Sequence, residues 1–270
     1  MKAALVGFAL CASVVLAGAE IVTKPVQYEQ GGTSFQGYLV YDDTLTAKGK
    51  LPGVLVVPEW WGLNDFVKGR AEELAKLGYV AFAADMYGGG QSTTDPEKAK
   101  ELATQVYGKP ALLAERSQAA LDQLLKTDLV DPSKVAAIGF CFGGSVCQAL
   151  AYSGAPLKGI VVFHGGLIPA PAGAAEKNKA KFLILEGALD PSLKKETVDA
   201  FIKALDDGKF DYQYLSYSGA LHAFMNPDAD KYHAAGLTMV AYNPEVAKRA
   251  WNQMQLFFKE IFGEAGKSQG

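Results

Sequence analysis

The chain has 270 residues, of which 49% are apolar and 20% are charged, so it can bury a full core as one large domain and is not a disordered or fibrous protein. Its 26 basic and 29 acidic residues give a net charge of only -3, and no cluster of Lys and Arg indicates a face for nucleic acid. Composition and charge therefore favour chemistry on a small molecule.

The first 19 residues have the pattern of a secretory signal. Met1-Lys2 is followed by an apolar stretch at 3–16 and then by Ala17-Gly18-Ala19. The apolar stretch is short for a membrane anchor, so neither an anchor nor an ordinary first strand is favoured. We expect cleavage after Ala19, export to the periplasm or the extracellular space, no stable membrane association, and a single mature domain over 20–270.

Strands and helices are predicted to alternate through the rest of the chain. Residues 22–26 and 35–41 are expected to form an antiparallel pair around Gly31-Gly32. Further strands are predicted at 53–57, 79–83, 135–140, 159–163, 182–185 and 212–217. Helices are predicted from the Asn64 cap to Leu77, from Asp95, and over 111–125, 144–152, 192–205 and 244–261. This alternation predicts a mostly parallel sheet with helices on both faces.

Two segments bear on how the domain is organised. Residues 170–180, rich in Ala, Pro and Gly, are expected to form a surface loop and not a domain boundary. Cys141 and Cys147 are expected to be free thiols, because six helical residues separate their Cα atoms by roughly 9 Å, beyond disulfide reach.

Residues 135–144 carry the strongest functional signal. A strand-like run ends at Gly139-Phe140-Cys141-Phe142-Gly143, and the flanking glycines allow the sharp turn that projects a nucleophile from the top of a sheet. A lone cysteine of this kind is often only a buried apolar residue. Two later residues, each following a predicted strand, favour catalysis instead.

These residues are Asp190 and His222. The chain order nucleophile, acid, histidine is that of α/β-hydrolases, and all three residues follow predicted strands. His222 can accept the thiol proton, and Asp190 can fix the imidazole tautomer and stabilise its cation. Separately, Asp190 could only cap a helix and His222 could be an ordinary loop residue; together they predict a triad with Cys141.

The loop Pro58-Glu59-Trp60-Trp61-Gly62 is expected to complete the site. The oxyanion hole is predicted to use the backbone amides of Phe142 and Trp60. Glu59 is expected to accept a hydrogen bond from the Cys141 thiol and keep it protonated until substrate arrives, although it could also be a solvated loop acid.

Several segments together resemble the dienelactone hydrolase family, a branch of the α/β-hydrolases that uses cysteine. The resemblance spans about 22–262 and rests on Pro58-Glu59-Trp60-Trp61-Gly62, Asp85-Met86-Tyr87-Gly88, Gly139-Phe140-Cys141-Phe142-Gly143-Gly144, Phe163-His164-Gly165-Gly166, Gly187-Ala188-Leu189-Asp190 and His222-Ala223-Phe224. It implies an α/β-hydrolase fold, a Cys141-His222-Asp190 triad and control of the thiol by Glu59.

The chain departs from this family where substrate carboxylates are bound. The family's founding enzymes use two arginines, one after the Asp-x-Tyr segment and one shortly after the histidine, whereas 85–90 and 222–227 contain none here. Dienelactone itself is therefore not expected as the natural substrate. The side chains of Trp61, Tyr87, Phe224 and Met225, with those of Trp60 and Phe142, are predicted to line an apolar pocket, with some of them expected to belong to the core.

These patterns predict a monomeric hydrolase that cleaves lactones or activated esters of small molecules through a thioester on Cys141, without a cofactor. Nothing marks a peptide groove, no Cys-x-x-Cys suggests thiol redox chemistry, and the three histidines form no close metal-ligand pair. An exported ligand-binding pseudo-enzyme on the same scaffold is the alternative.

Overall fold

Eight strands form one sheet within residues 20–263, the part of the chain that the computed structural model describes. The strands are β1 (Ile21–Gln30), β2 (Thr33–Asp42), β3 (Leu51–Val57), β4 (Val80–Ala83), β5 (Val130–Phe140), β6 (Gly159–Phe163), β7 (Lys181–Gly187) and β8 (Tyr212–Tyr217). Their order is β1-β2-β4-β3-β5-β6-β7-β8. The β1–β2 and β2–β4 pairs are antiparallel, and all later pairs are parallel.

Helices cover both faces of this sheet, as the alternation predicted. They are α1 (Asp43–Thr46), α2 (Asp65–Lys76), α3 (Pro96–Val106), α4 (Pro110–Leu125), α5 (Phe142–Tyr152), α6 (Ala174–Lys177), α7 (Lys195–Asp207), α8 (Ala229–Ala234) and α9 (Pro244–Phe262). α2 and α9 pack on the face that carries Val54 and Val56. α3, α4, α5 and α7 pack on the face that carries Leu55 and Val57. The predicted α/β-hydrolase architecture is therefore confirmed.

The predicted strand boundaries hold in part. β6 and β8 have the predicted bounds, whereas β1 continues four residues further, to Gln30, because every residue of it pairs with β2. Asn64 and Asp95 cap α2 and α3, as expected, by accepting hydrogen bonds from Val67 N–H and Glu97 N–H.

The expectation of a plain surface loop at 170–180 was wrong in part. Residues Ala174–Lys177 form the short helix α6, and the Ala174 side chain is buried. This helix and α8 have only four and six residues, which is too few for hydrophobic periodicity to reveal them.

Cys141 is half-buried and Cys147 is buried, and both are free thiols, as predicted. Within residues 20–263, no helix combines the length and the apolar character needed to cross a membrane. The predicted signal segment at 1–19 lies outside the described residues.

Parallel pairing brings one end of the sheet together as a platform for the site. β3, β5, β6, β7 and β8 all run in the same direction, so their carboxyl ends lie at one edge of the sheet. Glu59, Cys141, His164, Asp190 and His222 each follow one of these strands within a few residues. The topology therefore gathers chemically active side chains from distant parts of the chain.

Candidate active site

Cys141 lies at the turn between β5 and α5, in a backbone conformation that few residues other than glycine adopt. Its φ is 52° and its ψ is −115°. Its N–H donates to the Phe163 carbonyl at 3.0 Å. A Cβ at Gly139 would collide with the Gly143 backbone, and one at Gly143 would collide with the Val57 carbonyl. The two glycines therefore allow the tight turn that presents the thiol.

Asp190 and His222 form a direct contact that fixes the histidine ring. The distance between Asp190 Oδ2 and His222 Nδ1 is 2.6 Å. The other carboxylate oxygen, Oδ1, accepts from the backbone N–H and the hydroxyl of Ser192, at 2.8 and 2.6 Å. The backbone of His222 is held on both sides, because its N–H donates to Met239 O and its carbonyl accepts from Ala241 N–H. Asp190 thus both caps its own turn and orients His222.

The charges of this pair are tuned by burial and by neighbouring groups. Burial acts to lower the pKa of His222, but its interactions with Cys141 and with Asp190 outweigh this effect and raise the pKa well above its usual value. For Asp190, burial acts to raise the pKa, but the hydrogen bonds from His222 and Ser192 lower it below its usual value. The surroundings therefore favour an imidazolium next to a carboxylate.

Two backbone amides are available beside the thiol. Phe142 is the first residue of α5, and Trp60 lies in the loop after β3. Neither N–H donates a hydrogen bond to another group within residues 20–263. The Trp60 carbonyl accepts from the Tyr87 hydroxyl at 2.9 Å, which fixes this loop. An oxyanion hole formed by these two amides stays a prediction.

Glu59 is buried, and its hydrogen-bond partner differs from the one expected. Its Oε2 accepts from Asn226 Nδ2 at 2.6 Å, and Asn226 lies four residues beyond His222. No hydrogen bond joins Glu59 to Cys141 among the described residues. Burial raises the pKa of Glu59 to about 7, although the Asn226 hydrogen bond and the His222 charge oppose this rise. Glu59 is therefore neither a solvated acid nor a direct partner of the thiol.

Cys141 and His222 open onto a cavity of about 470 Å³, a volume within the range of small-molecule sites. The wall formed by α3 was not predicted from the sequence. Lys100, Ala103, Thr104 and Tyr107 have the helical spacing i, i+3, i+4 and i+7 and so share one face of α3, but nothing in the sequence places that face beside Cys141. The lining residues are Trp60, Lys100, Ala103, Thr104, Tyr107, Cys141, Phe142, Gly166, Leu167, Ser192, Leu193, Thr197, His222 and Met239.

Comparison with known proteins identifies the family of this chain. The model of the dienelactone hydrolase family matches residues 35–262. The chain belongs to the dienelactone hydrolase family. It is therefore a hydrolase with this family's α/β architecture.

Relatives and solved structures cover nearly the whole chain. An Aquifex aeolicus protein named "Putative carboxymethylenebutenolidase" is 29% identical, over 87% of this chain and 96% of its own length. A solved dienelactone hydrolase-like promiscuous phosphotriesterase from metagenomic libraries has a TM-score of 0.85 and 41% identity, covering 90% of this chain and 99% of its own. A Klebsiella pneumoniae structure named "Putative Dienelactone Hydrolase" has a TM-score of 0.73 and 26% identity. It covers 89% of this chain and 99% of its own.

Four residues that were expected to contact substrate lie elsewhere in this family member, so that part of the prediction is corrected. Trp61 is buried and stacks on Tyr232, with ring centroids 4.2 Å apart. Tyr87 is buried behind Trp60, whose carbonyl it binds. Phe224 and Met225 are fully buried in the core on the face covered by α2 and α9. Large aromatic and apolar side chains near a site also fill the core, and the sequence does not separate the two roles.

A buried polar layer lies behind His222. The His164 ring is fully buried 5.3 Å from the His222 ring, edge to face, and neither of its nitrogens has a hydrogen-bond partner within residues 20–263. Burial lowers the pKa of His164 well below its usual value, so this ring is neutral. Glu186 is also fully buried, its Oε1 accepts from Gly165 N–H at 3.1 Å, and burial raises its pKa well above the usual value. This layer adds no charge beneath His222.

The described residues offer no evident metal site. No group of three or more His, Cys, Asp or Glu side chains within 20–263 is arranged to hold a metal ion. The side chains at the cavity instead have the types needed for nucleophilic catalysis.

We predict that the glycine at position 143 is required for the site geometry. In Gly143→Ala the new Cβ would meet the backbone carbonyls of Val57 and Pro58, so the elbow and the Trp60 loop must separate. If the Trp60 amide is an oxyanion donor, as predicted, its displacement should cost about 100-fold or more in kcat. Ester hydrolysis by folded protein, verified by circular dichroism, measures the effect.

Gly69→Ala is the matched control for this substitution, because a Cβ at Gly69 in α2 meets no atom within 4 Å. It should retain the activity. Equal activity of the two variants would contradict the steric argument.

We predict that Glu59→Gln changes how stability depends on pH. The folded state binds the Glu59 proton more tightly than the unfolded chain, so this group stabilises the fold below the ordinary glutamate pKa and loses that contribution as the pH rises to about 7. Between about pH 5 and 8 the wild type should therefore lose about 2 to 3 kcal/mol of unfolding free energy that the variant does not lose.

Urea unfolding at several pH values would measure this difference. Glu29→Gln, at an exposed position in β1, is the control and should follow the wild type. Parallel curves for the wild type and Glu59→Gln would show that Glu59 does not titrate in this range.

Proposed function

We propose that this protein hydrolyses lactone or activated ester bonds of small molecules through a Cys141-His222-Asp190 triad. One observation carries the proposal: a histidine held 2.6 Å from a buried carboxylate and a thiol at a strained nucleophile elbow both open onto a single cavity. The family and the name of the Aquifex relative support cleavage of a carboxylic ester.

The proposed reaction has two halves. In the first, His222 takes the Cys141 proton, the thiolate attacks the carbonyl carbon, and the tetrahedral intermediate expels the alcohol or enol, which receives the proton from His222. This leaves an acyl group on Cys141 as a thioester. In the second, His222 deprotonates a water molecule that attacks the thioester, and the acid leaves as the thiol is restored. Asp190 stabilises the imidazolium in both halves.

The nucleophile favours substrates with good leaving groups. The tetrahedral intermediate can expel either the thiolate or the leaving group, and an amine is a poorer leaving group than an enolate or a phenolate. We therefore propose enol lactones, aryl esters and thioesters as the substrate class, and not amides. Leu167, Leu193 and Met239 give the cavity apolar walls that suit the body of such compounds.

We predict that hydrolysis of 4-nitrophenyl acetate and of an enol lactone depends on Cys141. Cys141→Ala should lower kcat by at least about a thousandfold, since a triad loses most of its effect when its nucleophile is removed. The wild type should show a burst of 4-nitrophenolate equal to the enzyme concentration if hydrolysis of the thioester is the slower half. Stopped-flow absorbance measures both quantities.

Cys147→Ala is the matched control, because this second free thiol is buried in α5 away from the cavity. It should keep the activity. Turnover that persists in Cys141→Ala would refute the triad. The absence of turnover in the wild type would favour the alternative of a ligand-binding pseudo-enzyme.

Phosphotriester cleavage is a second candidate reaction, supported by the 41% identity to the dienelactone hydrolase-like promiscuous phosphotriesterase. In this reaction the Cys141 thiolate would attack phosphorus and expel a phenolate, and water would then cleave the phosphorus–sulfur bond. A neutral triester also suits the mostly uncharged lining of the cavity.

We predict slow, Cys141-dependent release of 4-nitrophenolate from diethyl 4-nitrophenyl phosphate, with repeated turnover. The assay compares wild type, Cys141→Ala and Cys147→Ala over many enzyme equivalents. A single equivalent released without turnover would show that the triester only inactivates the enzyme, which would contradict this candidate reaction.

A further inference from the structure

The cavity has one residue with a permanent charge among its described lining residues. This residue is Lys100, which lies on α3 and is exposed at the mouth. Its ammonium forms no ion pair within residues 20–263, whereas Lys98 on the same helix pairs with Glu101 at 2.9 Å. A cation without an ion-pair partner among the described residues, at the mouth of a mostly apolar cavity, is available to bind part of a ligand.

The position of Lys100 follows from the two faces of α3. Leu102 and Val106 are buried in the core, while Lys100, Thr104 and Tyr107 belong to the stripe that lines the cavity. The buried face fixes the helix, so the base of the Lys100 side chain has a defined place on the cavity wall. Its four-carbon stem can place the ammonium over the opening.

The two segments that lack arginine, 85–90 and 222–227, place no other positive charge at the cavity. Gly90 N–H donates to Asp85 Oδ2 at 2.7 Å, and the 88–90 segment is not part of the cavity lining. Asn226 is buried, and its amide is engaged by Glu59. Among the described residues that line the cavity, a permanent positive charge comes only from the α3 wall.

We propose that Lys100 is a specificity-determining residue that binds a carboxylate at the end of the substrate remote from the scissile ester. The inference rests on the proposed ester hydrolysis at Cys141, which opens onto the same cavity. The substrate body lies against the apolar walls, its carbonyl reaches Cys141, and its free carboxylate meets Lys100 at the mouth. The carboxylate would thus be bound by α3, and not by the segments after Tyr87 and His222 that bind it in the founding enzymes of the family.

An exposed ammonium contributes only modestly to the binding of a carboxylate, because water and salt screen the interaction between the two charges. The expected effect is therefore a change in substrate preference with little effect on the chemical step. It should appear in KM, since the carboxylate is bound equally in the ground state and the transition state.

The experiment compares mono(4-nitrophenyl) glutarate, which has a free carboxylate, with its methyl ester, which has the same leaving group and no charge. Lys100→Gln should raise KM for the charged ester about two- to fivefold and leave kinetics on the methyl ester unchanged. Lys100→Glu should raise KM for the charged ester further, because attraction becomes repulsion. In about 1 M NaCl, where the Debye length falls to about 3 Å, the preference of the wild type should shrink.

Lys126→Gln is the matched control, since it removes the same charge just before β5, at the opposite edge of the sheet from the site. It should behave as the wild type. Equal effects of Lys100→Gln on both esters, or no effect on either while Cys141-dependent turnover continues, would overturn the role of Lys100 and leave the proposed function intact. Turnover of neither ester by the wild type would instead refute the proposed function, and the inference with it.

Discussion

The backbone of Cys141 is held at a positive φ, and the rest of the site depends on this constraint. Such a conformation costs on the order of 1 to 3 kcal/mol and persists only where the surrounding structure determines it. Here β5 is paired on both sides, every residue of α5 is buried, and the loop after β3 passes directly over Gly143. Close packing of three elements thus holds the thiol, the Phe142 amide and the Trp60 loop in a fixed relation.

Burial controls which groups in the site carry charge. Asp190 keeps its negative charge because His222 and Ser192 supply hydrogen bonds, and His222 is favoured as a cation in return. The His164 ring has no hydrogen-bond partner among the described residues and is neutral, so it packs on His222 without opposing that cation. Glu59 is intermediate between the charged Asp190 and the neutral His164, because Asn226 donates a hydrogen bond to its carboxyl group. The same dry surroundings therefore support one charged pair and suppress charge around it.

Catalytic and recognition functions come from different parts of this fold. The proposed triad lies just beyond the carboxyl ends of the parallel strands β5, β7 and β8. The cavity walls are formed instead by α3, by the loop after Asp190 and by the residue Met239. Side chains on those walls can change without disturbing the Cys141 turn. This separation explains how the chain can keep its family's chemistry while the two arginine positions lack their charge.

The sequence by itself determined the alternating elements, the elbow around Cys141 and the order of Asp190 and His222, because glycine positions and buried-strand runs are local patterns. It did not determine which large apolar side chains near the site face the cavity. Phe224 and Met225 are of the residue types that line pockets, but they fill the core. The contact of Glu59 with Asn226 and the place of α3 beside Cys141 were decided only by the tertiary structure. Both join residues far apart in the chain, and such contacts depend on how the helices pack on the sheet.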